Sequence, residues 1–238
     1  MPPQSNAGWR AAASDAAAAH KAVKLAVFDC DGTLVDSQAN IIAAMHDAFA
    51  RHGLPLPDPH SVRRIVGLSL VEAMQVMVPD GGAALQVSLA EDYKQGFHRL
   101  RASGGLAHEP VYPGVAAGLA ELERRGWLLG VATGKSDRGL GLCLAHHGLA
   151  SHFVTLQTAD RHPSKPHPAM LQAAIAEAGS SADLTVMIGD TIFDMAMGVS
   201  AGARAIGVDW GYHDAHELHE AGAEAVVTTF DALLERLP

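Results

Sequence analysis

Cysteine is nearly missing from this chain: Cys30 and Cys143 are the only two in 238 residues. Two are too few for a disulfide framework, and without a Cys-x-x-Cys pair no cysteine-rich zinc site is expected. Basic charge is also scarce. Seventeen Lys and Arg face 26 Asp and Glu, for a net charge of −9. No basic run stands out, so neither nucleic acid nor an anionic membrane is expected as a partner. No apolar stretch approaches the roughly 20 residues needed to span a bilayer. The Ala-rich start, Met1 to His20, lacks the basic head and long apolar middle of a secretion signal. Residues 1–22 are expected to form a flexible extension, and a reducing, cytoplasmic setting fits best.

Apolar residues are plentiful. Hydrophobic residues make up 48% of the chain, which marks a globular protein with a real core. The length suits one large domain, or a core domain with an insert, as monomer or homodimer. The pattern predicts strands over Leu25–Phe28, Trp127–Ala132, His152–Leu156, Leu184–Ile188, Ala203–Val208 and Ala225–Val227. Helices are predicted over Ser136–Leu149, Pro168–Ala178 and Asp194–Ala201. Alternating β and α implies an α/β fold, a doubly wound parallel sheet covered on both faces. Nearly one hundred residues separate the first two strands, far more than a crossover needs. Ile41, Ile42, Met45 and Phe49 fall at helical spacing, as do Leu70, Met74 and Met77. A helical insert is therefore expected over 38–111, between core segments 23–37 and 112–238.

Polar residues gather just beyond the predicted strand ends, where ligands bind in open parallel sheets. Asp29-Cys30-Asp31-Gly32-Thr33 follows the first strand. Alternation lets Asp29 and Asp31 face one way and Cys30 the other, as buried filler. Two carboxylates so close repel unless a cation or a shared proton intervenes, which suits nucleophile and general acid chemistry. A simple polar turn is the alternative. Asp36 or Ser37 is expected to cap the next helix.

Thr133-Gly134-Lys135-Ser136 closes the second strand and opens a helix. A hydroxyl and free N–H groups there make an anion seat, or Thr133 or Ser136 merely caps the helix. It is not a P-loop, because that pattern's first glycine is missing. Lys165 lies in a proline-stiffened loop, Pro163 to Pro168. Asp190 sits at the fourth strand's tip with Asp194 four residues on, a hard-oxygen set suited to Mg²⁺, while Asp194 also suits a helix N-terminus.

These spaced motifs, in this order, resemble the haloacid-dehalogenase-like (HAD) hydrolase superfamily from about Val23 onward. The insert after the first motif looks like its phosphoglycolate-phosphatase-like members. The resemblance implies a Rossmann-like core with a helical cap, and a Mg²⁺-dependent phosphatase acting on a small phosphorylated metabolite, phosphoglycolate-like or a sugar phosphate. It implies that Asp29 attacks phosphorus to form an aspartyl-phosphate, and that Asp31 protonates the leaving alcohol and then activates water. Thr133 and Gly134 would hold the phosphoryl oxygens and Lys165 would balance charge. Mg²⁺ would be held by Asp29, the main-chain carbonyl of Asp31 and Asp190, with Asp194 in support. Relatives that are true dehalogenases lack an acid two residues after the nucleophile, whereas Asp31 is present here.

Within the insert, Arg63-Arg64-Ile65-Val66-Gly67-Leu68-Ser69 is a candidate substrate loop. A Gly67-centred turn after two arginines is expected to reach a substrate carboxylate or second phosphate; the alternative is a solvated helix end, with Ser69 as the cap of the next helix. His213, His216 and His219 fall at helical spacing and read as a solvated helix face. Two other functions share parts of this set: a phosphosugar mutase, and a receiver-like phospho-acceptor without turnover.

Overall fold

The computed structural model describes residues 22–238, so the extension expected over 1–22 lies, but for its last residue, outside the described residues. Six strands form one sheet: β1 (Lys24–Phe28), β2 (Trp127–Thr133), β3 (Phe153–Thr158), β4 (Thr185–Gly189), β5 (Arg204–Val208) and β6 (Ala225–Val227). Their order is β3-β2-β1-β4-β5-β6, and every neighbouring pair is parallel. The winding reverses between β1 and β4, which opens a crevice beyond their carboxyl ends. Phe28 stands opposite both Val131 and Ile188, so the chain leaving β1 emerges level with the ends of its two neighbours.

Alternation along the strands supplies both faces of the sheet. Ala26, Phe28, Leu129, Val131, Val186 and Ile188 share one core with α5 (Val115–Arg124), α6 (Asp137–His146) and α10 (Phe230–Arg236). Leu25, Val27, Ala132 and Met187 turn to the other face, against α7 (Ala169–Ala178) and α8 (Ile192–Ser200). The remaining helix, α9 (Ala215–Glu220), lies beside β5 and β6.

Between β1 and α5 come α1 (Gln38–Arg51), α2 (Pro59–Arg64), α3 (Leu70–Met77) and α4 (Gly82–Ala102). They close around a core of their own, including Ile41, Met45, Phe49, Val62, Met74 and Leu89. The chain enters and leaves this insert through two segments lying side by side. Val35 and Val111 form an antiparallel bridge. Asp36 N donates to Pro110 O at 2.9 Å, and Tyr112 N donates to Leu34 O at 3.0 Å.

Several elements differ from the sequence expectation for identifiable reasons. The 21-residue α4 buries only Gln86, Leu89, Ala90 and Gly96, too sparse an apolar stripe to announce a helix. Helix α8 begins at Ile192, two residues before the expected Asp194, because Thr191 and Asp194 form a reciprocal capping box. Helix α6 stops at His146; the following Gly148 takes a positive φ of 68°. His213 precedes α9, so the three histidines do not share one helix. Among the described residues, no helix is long and apolar enough to cross a membrane.

Candidate active site

The crevice brings together residues from four loops. Asp29, first beyond β1, is held by its own N–H bond to Ile188 O at 2.9 Å. Its carboxylate is buried. Oδ1 accepts from Cys30 N at 2.6 Å and lies 3.0 Å from Lys165 Nζ. Oδ2 is buried with no hydrogen-bond partner. Cys30 turns into the core, its sulfur 3.8 Å from that of Cys143.

Asp31 also lines the cavity. Its Oδ1 lies 2.8 Å from Lys135 Nζ and accepts from the Ser37 hydroxyl. Ser37 occupies the cap position of α1 but makes no side-chain cap bond; the expected capping role gives way to holding Asp31. Lys135, adjacent to the predicted anion seat but given no role from sequence, is thus a cation of the site. Burial opposes its charge, yet the Asp31 carboxylate outweighs that and lifts its pKa well above the usual lysine value.

Thr133 and Gly134 sit at the end of β2, beside this pair, and both line the cavity. Thr133 Oγ1 accepts weakly from Lys135 N at 3.3 Å, and Ser136 caps α6 by accepting from Gly139 N at 3.1 Å. Gly134 has no room for a side chain. A Cβ there would lie 2.7 Å from Leu68 O and 2.9 Å from Gly67 O, both on the insert. The turn at Gly67, with φ of 100°, therefore rests on the predicted phosphate seat. Ser69 N donates to Ser164 Oγ at 2.8 Å and holds the turn there.

The two arginines of that loop are placed differently from the expectation. Arg64 forms a two-pronged pair with Glu217 of α9, at 2.5 and 2.7 Å, and Arg63 reaches Gln38 Oε1 at 3.4 Å. Neither lines the cavity, whereas Gly67 does. A carboxylate fixed on the core takes the guanidinium that would otherwise face a substrate.

Asp190, just past β4, is enclosed. Oδ1 accepts from Thr33 Oγ1 at 2.7 Å and Oδ2 from Tyr212 N at 2.9 Å. Gly32 and Gly211 press against it so closely that a Cβ at either position would overlap its carboxylate. Asp194 Oδ1 accepts from Lys165 Nζ at 2.6 Å, and its Oδ2 accepts from Thr191 N at 3.1 Å and Thr191 Oγ1 at 2.7 Å. Lys165, 1% exposed, reaches two of these three buried acids, Asp29 and Asp194, and among the described residues no other cation touches any of them.

Asp29, Asp190 and Asp194 each offer a carboxylate oxygen within 4.8 Å of the others. Burial pushes the Asp29 carboxyl up to about 7 against the pull of Lys165, and the charges of Asp194 and Asp31 add to the rise. Burial, with the charges of Asp29 and Asp194, lifts Asp190 well above the carboxylate range. One ammonium does not neutralise the group. A small divalent cation fits: the oxygen donors are hard, they lie within 4.8 Å of one another, and excess negative charge is buried. Asp29 and Asp190 are the side chains best placed to hold it. Both oxygens of Asp190 accept only from neutral donors, a hydroxyl and an N–H, whereas Asp194 spends one oxygen on the Lys165 ammonium, which makes it chiefly the residue that positions Lys165. The Asp31 side chain, tied to Lys135 and Ser37, stands apart from the cluster.

The family model for haloacid dehalogenase-like hydrolases matches residues 26–208. The chain belongs to the haloacid dehalogenase-like hydrolase family. It is 36% identical over 215 residues to the probable phosphatase IndB of Dickeya dadantii, across 88% of this chain and 91% of that one. It is 32% identical over 216 residues to a phosphoglycolate phosphatase of Mesorhizobium japonicum, across 89% and 93%. A hydrolase of Pseudomonas syringae of solved structure shares 26% identity and a TM-score of 0.78, across 90% of this chain and 97% of that one. The six-stranded core described above is the haloacid dehalogenase-like fold, and helices α1–α4 form the insert between β1 and α5.

Proposed function

We propose that this hydrolase is a Mg²⁺-dependent phosphatase that cleaves a small phosphorylated metabolite through an aspartyl-phosphate on Asp29. Its enzyme class is phosphoric monoester hydrolase. The observation that carries the Asp29 reading is the asymmetry of that carboxylate. Oδ1 is fixed by Cys30 N and Lys165, while buried Oδ2 is left without a partner and is available to attack phosphorus. A nucleophile held on one oxygen and desolvated on the other is oriented in advance of its substrate.

Thr133 and the N–H of Gly134 receive the phosphoryl oxygens at the start of α6. Lys135 and Lys165 bring two ammonium groups to the site, each already balanced by an acid. Both side-chain contacts of Asp31 fall on Oδ1, which leaves Oδ2 free to face the leaving oxygen. Asp31 gives a proton to the departing alkoxide as the ester P–O bond breaks. It then takes one from the water that attacks the phosphoenzyme, which releases phosphate and restores Asp29. Asp29 and Asp190 would hold Mg²⁺, with the Asp31 carbonyl in reach of the same loop; the ion supplies charge neutralisation of the phosphoryl group. The insert's Gly67–Leu68 turn excludes water from the seat.

The test is phosphate release from phosphomonoesters with and without Mg²⁺, with acid-quenched phosphoenzyme measured in parallel. Asp29→Asn is expected to abolish turnover while the fold survives, and Asp31→Asn to slow turnover by about 10²–10⁴-fold with phosphoenzyme accumulating. Wild-type rates in Asp29→Asn would refute the nucleophile. Isomerisation of a sugar phosphate without phosphate release would point to a mutase, and a long-lived phosphoprotein without turnover to a phospho-acceptor.

A further inference from the structure

The cavity that ends on Asp29 and Asp31 runs outward between the insert and α6, with a volume of about 860 Å³. That is the size range of drug-sized ligands, far larger than a two-carbon acid needs. Much of its lining is apolar, including Ile41, Met45, Ile65, Val66, Tyr93 and Phe97. Tyr93 and Phe97, one turn apart on α4, meet edge to face with ring centroids 5.3 Å apart and planes at 60°. Such a pair makes a stiff wall for a flat or extended apolar body, and Met45, in the core they pack against, can adapt to its outline.

The charges along the wall do not suit a short acid. Lys135 is already taken by Asp31, and Arg64 by Glu217. The other basic lining residues, Lys94, His98, Arg101, His108, Arg138 and His146, are exposed, and burial holds the half-buried His147 below the usual imidazole value, so it is no standing cation. The remaining lining acid, Glu109, is held by Asn40 at 2.8 Å and would repel a carboxylate. An anion set among these apolar side chains would go unpaired, at a cost.

We infer that the alcohol released from the substrate is a bulky aromatic or extended apolar group packed against Tyr93, Phe97 and Met45, and not a two-carbon acid or a hydrophilic sugar. This rests on the phosphatase reading and gives it a substrate class. The reaction is unchanged: the ester P–O bond is cleaved, water supplies hydroxyl to phosphorus, and the alkoxide takes a proton.

The experiment is steady-state phosphate release, with Mg²⁺, from n-alkyl phosphates from ethyl to hexyl, 2-phenylethyl phosphate, phosphoglycolate and glucose 6-phosphate. Primary alkoxide leaving groups of this series have similar basicity, so kcat/KM reports binding of the alkyl body. It is expected to rise about threefold per methylene, with 2-phenylethyl phosphate among the best substrates and phosphoglycolate below hexyl phosphate. In Phe97→Ala the rise should flatten to less than about twofold per methylene. A flat or falling wild-type series, or preference for phosphoglycolate, overturns the inference and leaves the phosphatase reading standing. A steep series unchanged in Phe97→Ala overturns the assigned wall. No phosphate release from any ester overturns the phosphatase reading, and this inference falls with it.

Discussion

Lys165 Nζ stands 3.0 Å from Asp29 Oδ1, with both side chains shut off from solvent. The same ammonium lies 2.6 Å from Asp194, so one cation holds apart two acids that would otherwise repel through a dry interior. Lys165→Met is expected to destabilise the fold by about 3–5 kcal/mol, because it strands two buried carboxylates, and to reduce turnover to background. Urea unfolding with and without Mg²⁺ checks the first part: the ion should recover some of the loss. A variant as stable as wild type would show that Lys165 does not balance this charge.

Asp190 is pressed between Gly32 and Gly211, so Asn fits its space without rearrangement. Millimolar Mg²⁺ should raise the melting temperature of the wild type by mass action on the folded state. Asp190→Asn should melt at or above the metal-free wild type, since a repelling buried charge is gone, and should show little Mg²⁺ response. Thermal melts in EDTA and in Mg²⁺ decide it, independently of any substrate.

Gly134 is where the insert touches the phosphate seat. In Gly134→Ala the added methyl meets two carbonyl oxygens of the insert, Leu68 O and Gly67 O, and the turn must lift. Because the displaced elements are a loop and the insert that carries it, stability should change little. Catalysis depends on their placement, so kcat/KM should fall by about 100-fold. Kinetics beside a thermal melt separate the two effects.

The Arg64 pair carries a pH signature. Hydrogen bonds from Arg64 pull the Glu217 carboxyl from 4.5 down to about 2. A depressed carboxylate stabilises the fold fully above its unfolded value and loses that contribution as pH falls through the folded one. Arg64→Ala should therefore cost about 0.5–1 kcal/mol from pH 7 to pH 5, with the difference from wild type closing toward pH 2. Since the pair joins the insert to the core, the variant should also be cleaved faster by protease around Pro59–Arg64. Equal stability at pH 7 would place the pair among the ion pairs that contribute nothing.

The sheet was legible because its strands are short apolar runs followed at once by Asp29, Thr133 and Asp190; that conjunction of buried strand and polar tip is local, and local patterns survive in a sequence. The partnerships were not. Ser37 looks like a helix cap until the chain folds it back onto Asp31. Lys135 looks like any lysine until Asp31 is brought within 2.8 Å. Arg64 looks free until α9, more than 150 residues later, supplies Glu217. Helix α4 went unseen because its function-facing side, with Tyr93 and Phe97, lines a cavity and leaves only four residues to mark a buried stripe. Helices α5 and α10 were unseen too, the latter spanning 7 residues, below what periodicity resolves; α9 showed only through the spacing of its histidines.

The antiparallel bridge between Val35 and Val111 pins the insert's entry to its exit, and Ser37, two residues beyond Val35, grips Asp31. One short tie thus anchors the insert and fixes the acid, so a substitution that loosens the first reaches the second without touching it.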